Sequence, residues 1–158
     1  MVLVDVLSGG TASADNEYNN TNYALVNACD NDEASMWFTA TGGPHWWKYD
    51  LGAGQGKAVT SVRVKPGPLS GYSYTGLRHF VLKGSNDNSN WTTIYSGEHA
   101  NNLYSATFSF SNSNAYRYYM IDGLDSYSPD GTYLVGVQEL EFLAVLTTRI
   151  VREALLDF

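Results

Sequence analysis

The chain of 158 residues carries a single cysteine, Cys29, so no intrachain disulfide framework holds it. Basic residues are scarce: 9 Lys and Arg stand against 16 Asp and Glu, a formal net charge of −7. That balance argues against holding nucleic acid by neutralising phosphates, and against docking on anionic lipid through clustered basic residues. Charged residues of both signs reach only 16%, below the usual ~25%. No apolar run approaches the roughly 18 residues of a membrane span. The start, Met1 to Val6, lacks a basic n-region and a long apolar stretch, so no secretory signal is expected there. His45, His79 and His99 lie apart and Cys29 is alone, which leaves no transition-metal cluster. Nucleophile elbows, phosphate loops and zinc motifs are missing too, so a non-catalytic chain is expected.

What is plentiful is aromatic and small: 12 Tyr, 4 Trp and 15 Gly, with aromatics at 14%. A surface of this kind suits uncharged polar ligands such as sugars, because an aromatic ring offers an apolar face with a polar tip. A β-rich domain with many turns draws on the same residues. The length fits one domain, and it is enough to bury a real core without staples.

Short alternating apolar runs separated by Gly, Pro, Asn, Asp and Ser clusters dominate the chain, the all-β pattern. Strands are expected over 46–51, 58–66, 78–84, 91–95, 104–110, 115–121 and 134–146. Val62 and Val64 share one face; Phe80 and Leu82 share another, with His79, Val81 and Lys83 opposite. Residues 8–22, 66–77, 84–90 and 122–133 read as loops. About eight antiparallel strands with regularly spaced turns point to a β-sandwich or jelly roll.

The last stretch differs. Residues 147–158 are apolar and lack turn residues; Ile150, Ala154, Leu155 and Phe158 can share a helical face, while Thr147, Thr148, Ile150 and Val151 favour a strand. We therefore divide the chain into a sandwich over 1–143 and an apolar C-terminal extension over 144–158. The extension either covers its own domain or forms a contact in a homo-oligomer or larger assembly.

Four blocks carry a resemblance. They are Ala28-Cys-Asp-Asn-Asp-Glu-Ala-Ser-Met-Trp37 followed by Trp46-Trp-Lys-Tyr-Asp-Leu-Gly52; His79 to Tyr95 around Gly-Ser-Asn-Asp-Asn-Ser-Asn-Trp; Ala115-Tyr-Arg-Tyr-Tyr-Met-Ile121; and Val137-Gln-Glu-Leu-Glu-Phe142. In this order and spacing they resemble the discoidin, or coagulation factor V/VIII C-type, superfamily, and within it family 32 carbohydrate-binding modules, over roughly residues 8–143. The resemblance implies a jelly-roll β-sandwich with ligand loops at one end. Physically, the Trp46 block sets Trp46 and alternate residues against the core and ends in a turn, and the second block is a hairpin. Trp37, Trp46 and Trp91 are expected in the core, and Arg117 in a structural role.

Asp30, Asp32 and Ser35 sit close together in one loop. Hard cations such as Ca²⁺ take six to eight oxygens from carboxylates, hydroxyls and carbonyls. The same acids also serve as ordinary turn residues. The loop resembles the family's calcium loop, with Asn31 in place of Gly and Ser35 in place of Thr; Asn tolerates positive φ best among non-glycine residues. The resemblance completes a structural Ca²⁺ site with Glu139 and the carbonyls of Gln138 and Asn27.

Two loops are aromatic-rich, 70–79 and 125–133. By the family's habit Tyr72, Tyr74, Tyr127 and Tyr133 would stack on a pyranose ring while Arg78 and His79 bond its hydroxyls. The expected function is a lectin-like module that binds a cell-surface glycan or polysaccharide, without nucleic-acid binding or membrane insertion. Its chain ends look like segments flanking such modules in bacteriophage structural proteins, which suggests display on a virion or extracellular assembly. The alternative is a decoration or assembly protein whose sandwich binds no sugar.

Overall fold

Alternation decides the architecture. In the strand Val59–Pro66, Val59, Ser61, Val62, Val64 and Pro66 are buried while Arg63 and Lys65 lean outward. In His79–Ser85, Phe80 and Leu82 are buried and His79, Val81 and Lys83 are not, as the sequence pattern requires. The computed structural model describes residues 2–18, 21–67, 73–128 and 134–146. Among them run ten strands: β1 (Leu3–Asp5), β2 (Thr11–Ala14), β3 (Trp37–Gly42), β4 (His45–Asp50), β5 (Val59–Pro66), β6 (His79–Ser85), β7 (Thr92–Glu98), β8 (Ala106–Ser109), β9 (Tyr118–Leu124) and β10 (Leu134–Val145). Short 3₁₀ helices cover Leu25–Cys29 and Ser73–Thr75.

The strands form two five-stranded antiparallel sheets. One runs β1-β10-β5-β8, with β3 also paired to β10; the other runs β2-β4-β9-β6-β7. Aromatic rings join them: Phe142 of β10 meets Trp47 of β4 edge-on at 6.1 Å and Tyr119 of β9 at 5.8 Å, and Phe80 of β6 meets Phe108 of β8 at 5.1 Å. Such edge-to-face pairs add to burial. The buried indoles are satisfied, Trp47 donating to the Leu25 carbonyl at 3.0 Å and Trp37 to the Asn16 carbonyl at 3.2 Å.

Three expectations need correction. The strand count is ten among the described residues, not about eight; β1, β2 and β3 are the additions. β2 is Thr-Ala-Ser-Ala inside a stretch read as loop, and its pairing with β4 supplies what its weak apolar pattern does not. Second, β10 runs on to Val145, paired with Leu3 of β1, so the sandwich does not stop at 143; residues 147–158 lie outside the described residues. Third, the face of β4 is shifted by one residue. Trp47, Tyr49 and Leu51 point to the core, and Trp46 lies half-buried on the outer face with Lys48 over its ring at 5.2 Å. Trp46 shares that face with Lys48 and Asp50, and a period of two cannot bury one without the others. Trp91 is also only half-buried, whereas Trp37 is fully buried.

The register fixes the two ends of the second sheet. His79 faces Glu98 and Gly84 faces Thr92, so the start of β6 and the end of β7 share one end with the start of β4 and the end of β9. The β6–β7 turn and the β8–β9 connection lie at the other.

Candidate functional site

At the first end, the start of β6, the end of β7 and the residue after β9 bring charged and aromatic groups together. Arg78 lies over the Tyr127 ring at 5.0 Å and donates through Nε to Glu98 at 3.1 Å. His79 Nδ1 faces Asp125 Oδ2 at 2.9 Å, and its Nε2 lies 3.5 Å from Glu98 Oε1. Asp125 also accepts the His79 amide at 2.8 Å, which ties the 125 loop to β6. The carboxylate sets the ring's orientation and holds the proton on Nδ1 toward itself. Tyr127 donates its hydroxyl to the His99 carbonyl, and burial raises its pKa.

Three of the six residues expected at the ligand thus meet: Arg78, His79 and Tyr127. The side chains of Arg78 and His79 are 39% and 43% exposed, open enough to meet a ligand. Among the described residues the terminal guanidinium nitrogens of Arg78 have no hydrogen-bond partner. Tyr74, on the second 3₁₀ helix, is exposed; Tyr72 and Tyr133 lie outside the described residues. Glu98 and Asp125 were not singled out by sequence. The hairpin register pairing Glu98 with His79 was the available signal.

Beside this group, Asp15, Thr41 and His45 form a second cluster. His45 Nδ1 is 3.1 Å from Asp15 Oδ2 and its Nε2 is 3.0 Å from Thr41 Oγ1. The cluster continues the polar rim, because His45 pairs with Leu124, next to Asp125.

The acidic loop is built on a hydroxyl. Ser35 Oγ lies 2.7 Å from Asp30 Oδ2, 3.1 Å from the Asp32 carbonyl and 3.4 Å from the Asn27 carbonyl. One hydroxyl proton serves three acceptors, a surplus of oxygen that a cation would relieve. Asn31 has φ of 60°, the left-handed conformation its type tolerates. The Asp32 carboxylate accepts the Ala34 amide at 2.9 Å, and its carbonyl accepts the Ser35 amide and hydroxyl. Glu33 latches the loop to β5, accepting from Arg63 at 2.7 Å and Lys65 at 3.0 Å, and Gln138 donates to the Glu33 carbonyl at 2.6 Å.

Glu139 lies at a bulge in β10, where the pairing with β5 skips Gln138. It is 2% exposed, and neither carboxylate oxygen has a hydrogen-bond partner. Burial pushes its carboxyl up to about 8, and the Asp30 charge adds to this. The Asn31 amide acts in the other direction but stops short of hydrogen-bonding geometry. A buried carboxylate without a partner is costly, so these residues fit a cation. Among the described residues no three His, Cys, Asp or Glu side chains converge as a metal cluster. The donors are instead a mix of carbonyls, hydroxyl and carboxylate, the chemistry of a hard cation. Cys29, half-buried beside them, has its thiol pushed up to about 12 by burial and by the charges of Glu139 and Asp30.

The family model of F5/8 type C domains described as "NedA-like, galactose-binding domain" matches residues 27–121, more than half of the chain. The chain belongs to that family. No curated protein sequence matches it. Solved structures share the fold of this F5/8 type C domain. The family 32 module of NanJ from Clostridium perfringens, solved with galactose, is 19% identical with a TM-score of 0.71, covering 90% of this chain and 99% of its own. CpGH89CBM32-5 from the same organism, solved with GalNAc-β-1,3-galactose, is 18% identical at 0.72, covering 90% and 100%. Chitosan-binding module 1 from a chitosanase/glucanase of Paenibacillus sp. IK-5 is 20% identical at 0.70, covering 90% and 99%. The F5/8 type C domain therefore has the discoidin-like sandwich its four sequence blocks imply.

Proposed function

We propose that this F5/8 type C domain is a non-catalytic carbohydrate-binding module, with its sugar site on Arg78, His79 and Tyr127. The observation that carries the reading is the pairing of an exposed guanidinium and imidazole, each held by a carboxylate, beside a tyrosine ring. An oriented guanidinium donor and an oriented imidazole nitrogen suit sugar hydroxyls, and the ring edge and face suit the apolar side of a pyranose. Solved neighbours carry galactose, GalNAc-β-1,3-galactose and 4,5-unsaturated mannuronic acid, which supports a glycan as ligand. A glycan array in calcium buffer tests the reading, with His79→Ala as control. Selective binding lost in the variant is the expected result; no binding by folded protein overturns it.

A structural Ca²⁺ belongs to the same proposal. Asp30, Ser35 and Glu139, with the carbonyls of Asn27, Asp32 and Gln138, would hold it and join the loop to β10. Its role is to fix the loop, since no step of sugar binding passes through it.

The assembly reading has its own observation. Val2 is 60%, Leu3 45% and Leu146 51% exposed, and they meet where β1 edges the sheet. An apolar edge next to the 144–158 extension suits a contact with another copy or a larger particle, such as a virion. Deleting 147–158 and measuring mass in solution tests it: an unchanged mass overturns it.

A further inference from the structure

The other end of the second sheet carries a concavity of about 230 Å³ between the start of β7 and the β8–β9 connection. Along β6, from His79 to Gly84, it lies about 17 Å from the Arg78 and His79 group. Its lining is polar and uncharged. It is lined by Thr92, Thr93, Ser111, Asn112, Ser113, Asn114 and Tyr116, with Ile94 as the one apolar residue. Thr92, Thr93, Ser111, Ser113 and Asn114 are exposed and Tyr116 is half-buried, and among the described residues their side-chain hydroxyls and the Asn114 amide bond no protein group, which leaves them open to a ligand in place of water. The lining is firm. Asn112 donates to the Val59 carbonyl at 3.0 Å and the Asn114 carbonyl at 3.1 Å, and accepts the Asn114 amide at 3.0 Å. Lys57 and Tyr116 exchange both backbone bonds, at 3.1 and 3.0 Å. The Tyr116 ring packs over Gly84, where a Cβ would come within 2.3 Å of it.

We propose that this concavity is a second binding site, for one neutral sugar residue. Its volume falls below the ~300–1,000 Å³ of sites for drug-sized ligands, which limits the occupant to a small ligand. The absence of charge from the lining removes any preference for an acidic sugar. Unpaired hydroxyls and an amide on fixed backbone match a ligand that is itself a ring of hydroxyls, and a preorganised lining lowers the ordering cost of binding. The site is separate from the one in the previous section and stands whether or not that one binds. Two sites on opposite ends would let one domain bridge two chains of a polysaccharide, or gain avidity on a dense glycan.

Amide NMR titration of the full chain with methyl β-galactoside, methyl α-glucoside and N-acetylglucosamine tests this. Galacturonate and glycerol serve as controls. The expected result is saturable shifts at Thr92–Ile94 and Ser111–Tyr116 with at least one neutral sugar, unchanged in His79→Ala. Thr93→Val and Tyr116→Phe keep shape and packing, and each should weaken binding about fivefold, the loss of one hydrogen bond. The proposal is overturned if those amides do not shift with any of the sugars. It is equally overturned if glycerol reproduces the shifts, or if both variants bind as the wild type does.

Discussion

Asp125 holds His79 at two points, accepting its backbone amide at 2.8 Å and facing its ring Nδ1 at 2.9 Å. The imidazole is therefore oriented before any ligand arrives. Asp125→Asn keeps an acceptor for the amide and removes the charge that orients the ring. Sugar affinity should fall about tenfold, the scale of one charge-assisted bond, with little change in melting temperature. Calorimetric titration beside a thermal melt checks this; equal affinity in both proteins would remove His79 from the site.

Trp46 and Trp47 are neighbours in sequence with opposite fates. Trp47 is fully buried against Phe142, so Trp47→Ala should cost about 3–5 kcal/mol. Trp46 lies outside under Lys48, and Trp46→Ala should cost about 1 kcal/mol or less. Denaturant midpoints of the two variants decide it, and equal losses would contradict the register of β4.

The same pair shows what was legible in the sequence. The fold class, seven of the strands and the inward faces of β5 and β6 follow from alternation, and the family follows from four short blocks. The face of β4 was misassigned because two adjacent tryptophans fit either register, although Lys48 and Asp50 on one side resolve it. β2 was missed because its Thr-Ala-Ser-Ala is stabilised by pairing with β4 rather than by its own pattern. At the candidate site, the aromatic-rich loops pointed to Arg78, His79 and Tyr127. Their carboxylate partners come from elsewhere in the chain, Glu98 from the end of β7 and Asp125 from just after β9, and only the register brings them there.

Glu139 gives the calcium proposal a test with two signs. Its carboxylate oxygens are buried and unpartnered. In chelator, Glu139→Gln removes a poorly solvated acid and should raise the melting temperature above that of the wild type. With calcium present the order should reverse, because the wild type gains about 2.7 kcal/mol at a hundredfold excess over Kd and the variant gains less. Melts in chelator and in calcium, on both proteins, read this directly. A wild type that melts identically in the two buffers has no such site.

Arg117 clamps Asp50 through Nε at 2.7 Å and Nη2 at 2.8 Å, joining the last residue of β4 to the residue before β9. This bond holds the Asp50 carboxyl below its ordinary value of 3.8. The unfolded chain therefore binds the proton more readily than the native one between the two values. The stabilisation is complete above 3.8 and is lost as pH falls through the native value. Both side chains are about one-third exposed, so solvent screens the pair and its contribution is small. Asp50→Asn should thus lower stability slightly at neutral pH, and the gap should close in strong acid, where Asp50 is protonated in both states. Urea unfolding of the two proteins across the acid range measures the gap. If it stays constant with pH, the effect of the substitution comes from packing, not from the charge on Asp50.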